Sequence, residues 1–330
     1  MSDDRRIAHY NLLEPIGDGG IGEVYRARDT RVGRTVALRV VGPDITADPS
    51  RLGQFLQDAH AAAALSHPNI ASLWDIGEAD GAHYLAYEFA SGQRLREDAG
   101  GTAMNLRRAI DLAIQVADGV AEGHSQGVIH GDLRPETIVV TPKGSAKILD
   151  FGLARWTRGG KIRQQAAQSP DSLPPDAAPL VAYMSPEQAL GGGVDARTDV
   201  FSLGTLTYEL VTGRSPFAAT TATDTVVNVI RGSAAPPSQV NPSTPAALDG
   251  ILARALMPDL ARRHQSAAAL ASDLRAVAAT LAPARVDAAQ ESEVLPLDES
   301  PDRSAGALLA GALAAAAAAA VFVWWLLVHR

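Results

Sequence analysis

Apolar and polar residues alternate along the N-terminal part of the chain in the manner of short β-strands. The predicted strands cover residues 12–16, 23–27, 35–41 and 84–89. Residues 51–65 instead repeat their apolar side chains at helical spacing, and Pro68 follows where that helix has to end. The pattern therefore predicts a small antiparallel sheet accompanied by one helix.

Further along the chain, the apolar periodicity becomes that of helices with one buried face. Helices are predicted at residues 106–124, 200–212, 223–230, 246–255 and 267–281. The intervening stretch 153–183 is polar and rich in Gln, Pro and Ala, so we expect it to be mobile. The second part of the chain is therefore predicted to be mainly helical.

Residues 305–328 contain no charged side chain and end in a tryptophan pair followed by Leu-Leu-Val. A helix of this length would span about 36 Å, which is enough for a hydrocarbon core of about 30 Å. The paired tryptophans suit the far membrane interface. We predict a transmembrane helix here. The alternative is an alanine-rich soluble helix, which would normally carry charges on one face.

Two further segments of the chain are polar. Residues 279–304 are acidic and contain several prolines, a composition that predicts an unfolded linker. Residues 1–9 form a predicted polar tail with no sign of a signal peptide. Because only residues 329–330 follow the span, we expect a tail-anchored protein. Ala307 and Gly311 are small residues four positions apart in the predicted span. Such a pair lets two membrane helices approach closely, so we also predict a homodimer through this helix.

The net charge argues against nucleic-acid binding, and the cysteine count excludes any chemistry that needs a thiol. The 37 acidic residues outnumber the 29 Lys and Arg residues, and the net charge of −8 argues against a nucleic-acid-binding domain. The absence of cysteine excludes disulfides, thiol nucleophiles and thiolate metal sites, and it suits a reducing cytosol. No internal repeat is apparent in the sequence.

Five short motifs occur in a fixed order along the chain. They are Gly17-Asp18-Gly19-Gly20-Ile21-Gly22-Glu23-Val24, Val36-Ala37-Leu38-Arg39, His130-Gly131-Asp132-Leu133-Arg134-Pro135-Glu136-Thr137, Asp150-Phe151-Gly152 and Met184-Ser185-Pro186-Glu187. They resemble the glycine-rich loop, phosphate-binding strand, catalytic loop, metal-binding turn and A-P-E element of protein kinases. The chain is therefore similar to the bacterial Ser/Thr protein kinases, the Hanks-type or eukaryotic-like family, over residues 10–278.

This resemblance implies an α+β fold of two lobes, with a small β-rich N-lobe at residues 10–90 and a helical C-lobe at 91–278. It implies that ATP and Mg²⁺ (or Mn²⁺) bind between the lobes. The expected partner is a protein, either as substrate or as binding partner. Because ATP and Mg²⁺ are cytosolic, the kinase-like domain is expected on the cytoplasmic side of the inner membrane.

The resemblance also assigns roles to individual residues. Those expected around ATP are Gly17, Gly19, Gly22, Val24, Ala37, Arg39, Asp58, Tyr87, Glu88 and Ala90. Asp132 is the expected base, and Arg134 is expected to contact the transferred phosphate. Asp150 and Thr137 are the expected metal ligands. Glu187 and Arg263 match an ion pair that holds the C-lobe together in the family.

Some of these residues differ from the family pattern. Arg39 stands where kinases have lysine, and Asp58 stands where their helix carries glutamate. The longer arginine and the shorter aspartate compensate in length, so we predict an Arg39–Asp58 ion pair. The alternative is that both side chains face solvent. For Asp132 and Asp150 the alternative is an ordinary turn or helix-capping aspartate.

Further departures bear on phosphoryl transfer. Thr137 replaces the asparagine that binds a second Mg²⁺, and Gly131 removes an arginine that binds a phosphorylated activation segment in many kinases. Pro179 and Leu180 replace a Gly-Thr pair that docks the substrate. Three functions therefore remain open. They are a slow Ser/Thr kinase, a catalytically inactive pseudokinase acting as a nucleotide-responsive scaffold, and transfer to a non-protein acceptor.

Overall fold

The computed structural model describes residues 5–18 and 20–281, and in this part of the chain an antiparallel sheet of six strands forms the smaller lobe. The strands are β1 Arg6–Ile7, β2 Tyr10–Asp18, β3 Glu23–Asp29, β4 Thr35–Val40, β5 Leu73–Ala79 and β6 Ala82–Glu88. They lie in the order β1-β2-β3-β4-β6-β5. The sheet begins at Arg6, four residues before the predicted start of the kinase-like domain at residue 10.

Alternation along β4 decides which side chains reach the cleft between the lobes. Val36 and Leu38 point to one face and are buried with Tyr10 and Tyr84. Because successive side chains of a strand point to opposite faces, Arg39 is turned to the other face. The register pairs Arg39 with Leu85 of β6 and with Val24 of β3.

The helix predicted at 51–65 is present as α2, Pro49–Ala63, after a single turn α1 at Pro43–Thr46. Asp48 caps α2 by accepting hydrogen bonds from the backbone N–H groups of Ser50 and Arg51. Its buried residues are Phe55, Ala59 and Ala62, at the i, i+4, i+7 spacing of one helix face. This face packs against the sheet.

The larger lobe is mostly helical. Its helices are α3 Leu95–Ala99, α4 Leu106–Ser125, α5 Arg158–Gln168, α6 Ala178–Val181, α7 Pro186–Ala189, α8 Ala196–Thr212, α9 Ala222–Arg231, α10 Pro237–Val240, α11 Ala246–Ala255 and α12 Ala267–Leu281. Short strands β7 Gln93–Arg94, β8 Ile138–Val140 and β9 Ala146–Ile148 form a second sheet at its upper edge. The α12 helix runs to Leu281, beyond the predicted domain end at 278.

The core of the larger lobe surrounds α8, whose side chains are buried on almost every face. The α4 and α12 helices pack beside it. Within residues 5–18 and 20–281, no helix has the length and apolar character needed to cross a membrane. The predicted span at 305–328 and most of the predicted linker at 279–304 lie outside the described residues.

Candidate active site

A cavity of about 510 Å³ separates the two lobes. Its upper wall is formed by Gly17, Val24, Ala37 and Arg39 from the sheet, and its rear and lower walls by Tyr87, Glu88, Ala90, Arg94, Asp132, Arg134, Thr137, Asp150 and Thr157. Of the thirteen predicted site residues that the structure describes, eleven line this cavity, and the two that do not are Gly22 and Asp58.

Gly22 shapes the glycine-rich loop from outside the cavity wall. Its φ of +151° is a conformation that other residues rarely adopt, and a side-chain carbon at this position would lie 1.9 Å from the Val40 carbonyl oxygen. Only glycine lets the loop pass this close to β4. Gly19, which was also predicted to contact ATP, lies outside the described residues.

The rear of the cavity contains polar groups that no protein group satisfies. The Tyr87 hydroxyl and the Arg39 Nε are buried without a hydrogen-bond partner among the described residues. Burial raises the pKa of Tyr87 and keeps its hydroxyl neutral. The Glu88 carboxylate forms an ion pair with Lys147, with Oε1 and Nζ 2.6 Å apart, so the charge of Glu88 is already paired within the protein.

Arg39 forms an ion pair with Asp150, and the predicted Arg39–Asp58 pair is wrong. Its Nη1 lies 2.6 Å from Asp150 Oδ1, and its Nη2 donates to Oδ2 at 3.0 Å. Burial alone would raise the pKa of Asp150, but the Arg39 guanidinium outweighs it and the pKa is lowered. Asp150 is therefore a carboxylate already facing a cation.

Asp58 is held by the segment that follows Asp150. Its Oδ2 accepts hydrogen bonds from Arg155 Nε and Trp156 Nε1, both at 2.7 Å. The Trp156 ring packs edge-on against Phe55 of α2, with ring centroids 5.5 Å apart. These contacts join α2 to the segment after Asp150 and leave Asp58 no part in the cavity.

The catalytic loop is held in place by buried Asp199 of α8. This carboxylate accepts hydrogen bonds from the backbone N–H groups of His130 and Gly131 at 2.8 and 2.7 Å. The His130 ring Nδ1 accepts from the Asp132 N–H, so its Nε2 carries the hydrogen that is donated to the Leu149 carbonyl. Burial lowers the pKa of His130, in keeping with this neutral ring.

Both carboxylate oxygens of Asp132 are occupied by side chains of this chain. Arg163 Nη1 lies 2.5 Å from Oδ1, and Arg134 Nε donates to the same oxygen at 3.1 Å. The Thr157 hydroxyl lies 3.0 Å from Oδ2. Burial would raise the pKa of Asp132, but Arg163 and Arg134 outweigh it and lower the pKa.

Part of the segment 153–183, which was expected to be mobile, forms the helix α5. Thr157 caps α5, and Arg163 on it is buried with only 8% of its surface exposed. A side-chain carbon at Gly159 would lie 2.6 Å from Asp132 Oδ2, and one at Gly20 would lie 2.5 Å from the Arg158 backbone nitrogen. The start of α5 therefore lies between the glycine-rich loop and the catalytic loop.

Thr137 lines the cavity, but its hydroxyl is used within the catalytic loop. The oxygen accepts a hydrogen bond from the Arg134 N–H at 3.2 Å and lies 2.9 Å from the Arg134 carbonyl oxygen. This arrangement does not favour the predicted metal contact. Among residues 5–18 and 20–281, no group of three or more His, Asp or Glu side chains is arranged to hold a metal ion.

Comparisons with known proteins agree with this geometry. Residues 10–274 match the protein kinase domain family. The chain belongs to the protein kinase family. Serine/threonine-protein kinase PknB of Mycobacterium tuberculosis is 36% identical over 272 residues, which cover 80% of this chain and 42% of that protein. A probable serine/threonine-protein kinase of Streptomyces coelicolor is 34% identical, with 84% of this chain and 41% of that protein covered.

The chain therefore spans about two fifths of the length of these curated relatives. The crystal structure of the Mycobacterium tuberculosis PknI kinase domain is 25% identical, with a TM-score of 0.63. The match covers 84% of this chain and 99% of that domain. The two-lobed kinase fold expected from the sequence is confirmed.

Membership of the kinase family implies ATP and a divalent metal such as Mg²⁺, and the residues can be tested against both. The cavity fits a nucleotide, because Val24 and Ala37 give its upper wall an apolar part and the unsatisfied Tyr87 hydroxyl lies at its rear. Asp150 fits one metal ion, since kinases hold Mg²⁺ with one or two carboxylates and the substrate phosphates. Arg39 competes for that carboxylate.

The predicted ion pair between Glu187 and Arg263 is present. Arg263 is fully buried, and its two terminal nitrogens donate to the Glu187 carboxylate at 2.8 and 3.0 Å. Leu180, at the position of the family's substrate-docking threonine, packs against the core of the larger lobe. The chain therefore keeps the ion pair that holds the larger lobe together, and it lacks the hydroxyl that docks the substrate in the family.

Sequence reasoning missed Arg163, Thr157 and Arg94. Arg94 lines the cavity and donates to the Glu136 carbonyl oxygen at 2.6 Å. Threonine is a common N-cap residue, so Thr157 could have indicated the start of a helix. Two glycines in the first turn of α5 lower its helix propensity, and the sequence therefore did not predict this helix. Arg163 carries no signal of its own, because its partner Asp132 lies 31 positions away.

Proposed function

We propose that this chain binds ATP in the cavity between its lobes and transfers the γ-phosphoryl group slowly to Ser or Thr hydroxyls of a protein. One observation carries the proposal, namely that the cavity brings Asp132 and Asp150 together beneath the glycine-rich loop. The names of the relatives, which are serine/threonine-protein kinases, support this class of acceptor. The transfer is proposed to be slow because Asp132 is already occupied.

Each residue has a defined role in this proposal. Asp132 orients the acceptor hydroxyl and takes its proton, and Arg134 beside it supplies positive charge. Asp150 would hold the metal ion, which when bound neutralises charge on the phosphates. The backbone of the glycine-rich loop covers the nucleotide. Arg39 provides a fixed cation at the place where kinases have lysine.

A second candidate is a pseudokinase that binds nucleotide as a switch for a partner protein. The observation favouring it is that Asp132 and Thr137 both make their hydrogen bonds within the protein. In this function, occupancy of the cavity would move α5 and change the surface offered to the partner. The two candidates share nucleotide binding and differ in phosphoryl transfer.

Binding of ATP is expected to raise the melting temperature of the purified chain, because a ligand that binds only the folded state stabilises it. Asp150→Asn should shrink the difference between ATP alone and ATP with Mg²⁺. Asp80→Asn is the matched control, since Asp80 is an exposed aspartate with a similar positive φ. No shift at millimolar ATP, with or without metal, would contradict the proposal.

Transfer of labelled γ-phosphate to a Ser/Thr protein substrate separates the two candidates. A kinase gives labelled substrate that Asp132→Asn removes, whereas a pseudokinase gives a thermal shift and no label. The Asp132→Asn chain must keep its own thermal shift with ATP, so that loss of label reports chemistry and not loss of binding.

We further propose that residues 305–328 anchor the chain in the inner membrane with the kinase domain in the cytoplasm. The absence of charge over this stretch supports it. Deleting residues 305–330 is expected to move the chain from the membrane fraction to the soluble fraction. A full-length chain that stays in solution without detergent would exclude the anchor, and with it a homodimer through Ala307 and Gly311.

A further inference from the structure

Arg94 differs from the other arginines of the cavity wall in having no carboxylate partner within the described residues 5–18 and 20–281. Arg39 is paired with Asp150. Arg134 is paired with Asp132. Arg94, on β7, instead donates a hydrogen bond from Nη1 to a backbone carbonyl oxygen of the catalytic loop at 2.6 Å. Its charge is therefore not neutralised by an acidic side chain.

Two glutamates that line the cavity with Arg94 leave this charge uncompensated. Glu136 forms ion pairs with Arg96 and Arg134. Glu97 is exposed, and it forms no ion pair with Arg94. Burial lowers the pKa of Arg94, yet a guanidinium keeps its proton at neutral pH. A half-buried cation without a counter-ion is unfavourable, so this part of the cavity favours an anionic ligand.

The Arg94 guanidinium has hydrogen-bond donors available to a ligand. Only its Nη1 is bonded within the part of the chain that the structure describes, and Nε and Nη2 are not sealed off from solvent. Burial would raise the pKa of Asp150, Arg39 lowers it, and the charge of Arg94 lowers it further. Arg94 therefore acts on the end of the cavity where Asp150 lies and where the phosphates are expected.

We propose that Arg94 binds the phosphate chain of the nucleotide directly, which rests on the proposed binding of ATP in this cavity. A guanidinium offers a planar fork of N–H donors that matches phosphate oxygens, and hydrogen bonds between charged groups are strong. Arg94 lies outside the five kinase motifs, four residues after Ala90. Its bond to the catalytic loop links the part of the wall expected at the base to the part expected at the phosphates.

Direct binding by Arg94 makes the affinity for ATP less dependent on a metal ion. Asp150 is already paired with Arg39, so a metal ion has to compete for this carboxylate. Arg94 has no carboxylate to give up, and its free donors meet a phosphate without displacing a protein group. We therefore expect ATP to bind in the presence of EDTA, and to bind more tightly than adenosine, which has no phosphate.

The test is isothermal titration calorimetry of the full-length chain in detergent and EDTA, with ATP and adenosine as the two ligands. Arg94→Gln should weaken ATP binding by about 10- to 100-fold, the range of a charge-assisted hydrogen bond, and leave adenosine binding unchanged. Arg94→Lys keeps the charge but loses the fork, so its affinity for ATP should fall by less. Arg108→Gln is the matched control and should change neither affinity, since Arg108 pairs with Asp98 at 2.8 Å and does not line the cavity.

Equal weakening of ATP and adenosine binding by Arg94→Gln would mean that Arg94 only supports the catalytic loop, and unchanged ATP binding would mean that it does not contact the phosphates. Either result overturns the proposal. The unaltered chain gives a check that does not depend on how well the variants fold. If it binds adenosine as tightly as ATP, or binds ATP only with Mg²⁺, the role of Arg94 is wrong and the nucleotide cavity stands. A chain that binds neither ligand, with or without Mg²⁺, overturns the proposed function as well.

Discussion

Replacing Arg263 by alanine is expected to lower the free energy of unfolding by about 3–5 kcal/mol. Arg263 is fully buried and donates hydrogen bonds to Glu187 and to the Met257 and Arg197 carbonyl oxygens. Its removal leaves the Glu187 carboxylate without its cation in a largely buried place. Denaturant unfolding followed by circular dichroism measures the loss.

Arg275→Ala is the matched control for this prediction. Arg275 pairs with Asp118 at 2.5 Å, but half of its side chain is exposed, and an exposed pair contributes about 0–1 kcal/mol. The double variant Arg263→Met with Glu187→Gln should lose less stability than Arg263→Ala, because no unpaired charge remains. If Arg263→Ala and Arg275→Ala lower the free energy of unfolding equally, burial of the Arg263–Glu187 pair does not matter for stability and the prediction is wrong.

Arg163→Gln is expected to raise phosphoryl transfer to an added protein substrate by about 10- to 100-fold, which corresponds to the roughly 1.5–3 kcal/mol of a charge-assisted hydrogen bond. Arg163 Nη1 holds Asp132 Oδ1 at 2.5 Å and fixes α5 over the catalytic loop. Glutamine loses the charge and weakens this closure. The initial rate of substrate labelling measures the gain.

Lys161→Gln on the same helix is the control for the effect of charge. Lys161 is exposed and pairs with Asp44 at 2.8 Å, away from Asp132. It should leave the rate nearly unchanged, and hydrogen exchange over residues 158–168 should rise more in Arg163→Gln. If α5 loosens without any gain in labelling, closure by Arg163 does not limit transfer and the pseudokinase candidate is favoured.

The elements of the fold were largely predictable from the sequence. Strand alternation located β2, β3, β4 and β6, and helical periodicity located α2, α4, α8, α9, α11 and α12. The spacing of apolar residues shows which face of a strand or helix is buried. Because burial of that face stabilises the element, the spacing predicts where the element forms. The kinase motifs likewise predicted the cavity residues, because glycine and aspartate at fixed spacing reflect local backbone geometry.

The partners of the charged residues were decided by the tertiary structure. Arg39 pairs with Asp150, 111 positions away, and Asp58 pairs with Arg155. Side-chain length predicted that an Arg39–Asp58 pair was feasible, but it does not say which carboxylate a buried guanidinium meets. That choice depends on where separate segments lie after folding.

Helix α5 shows the same division most plainly. With glycines at 159 and 160 its intrinsic helix propensity is low, and the sequence alone predicted a mobile segment. The helix is stabilised by contacts that exist only in the folded chain, namely Arg163 and Thr157 on Asp132 and Trp156 on Phe55. The sequence by itself therefore determined a kinase fold with a cavity between its lobes, whereas the hydrogen bonds that occupy the Asp132 carboxylate were decided by long-range packing.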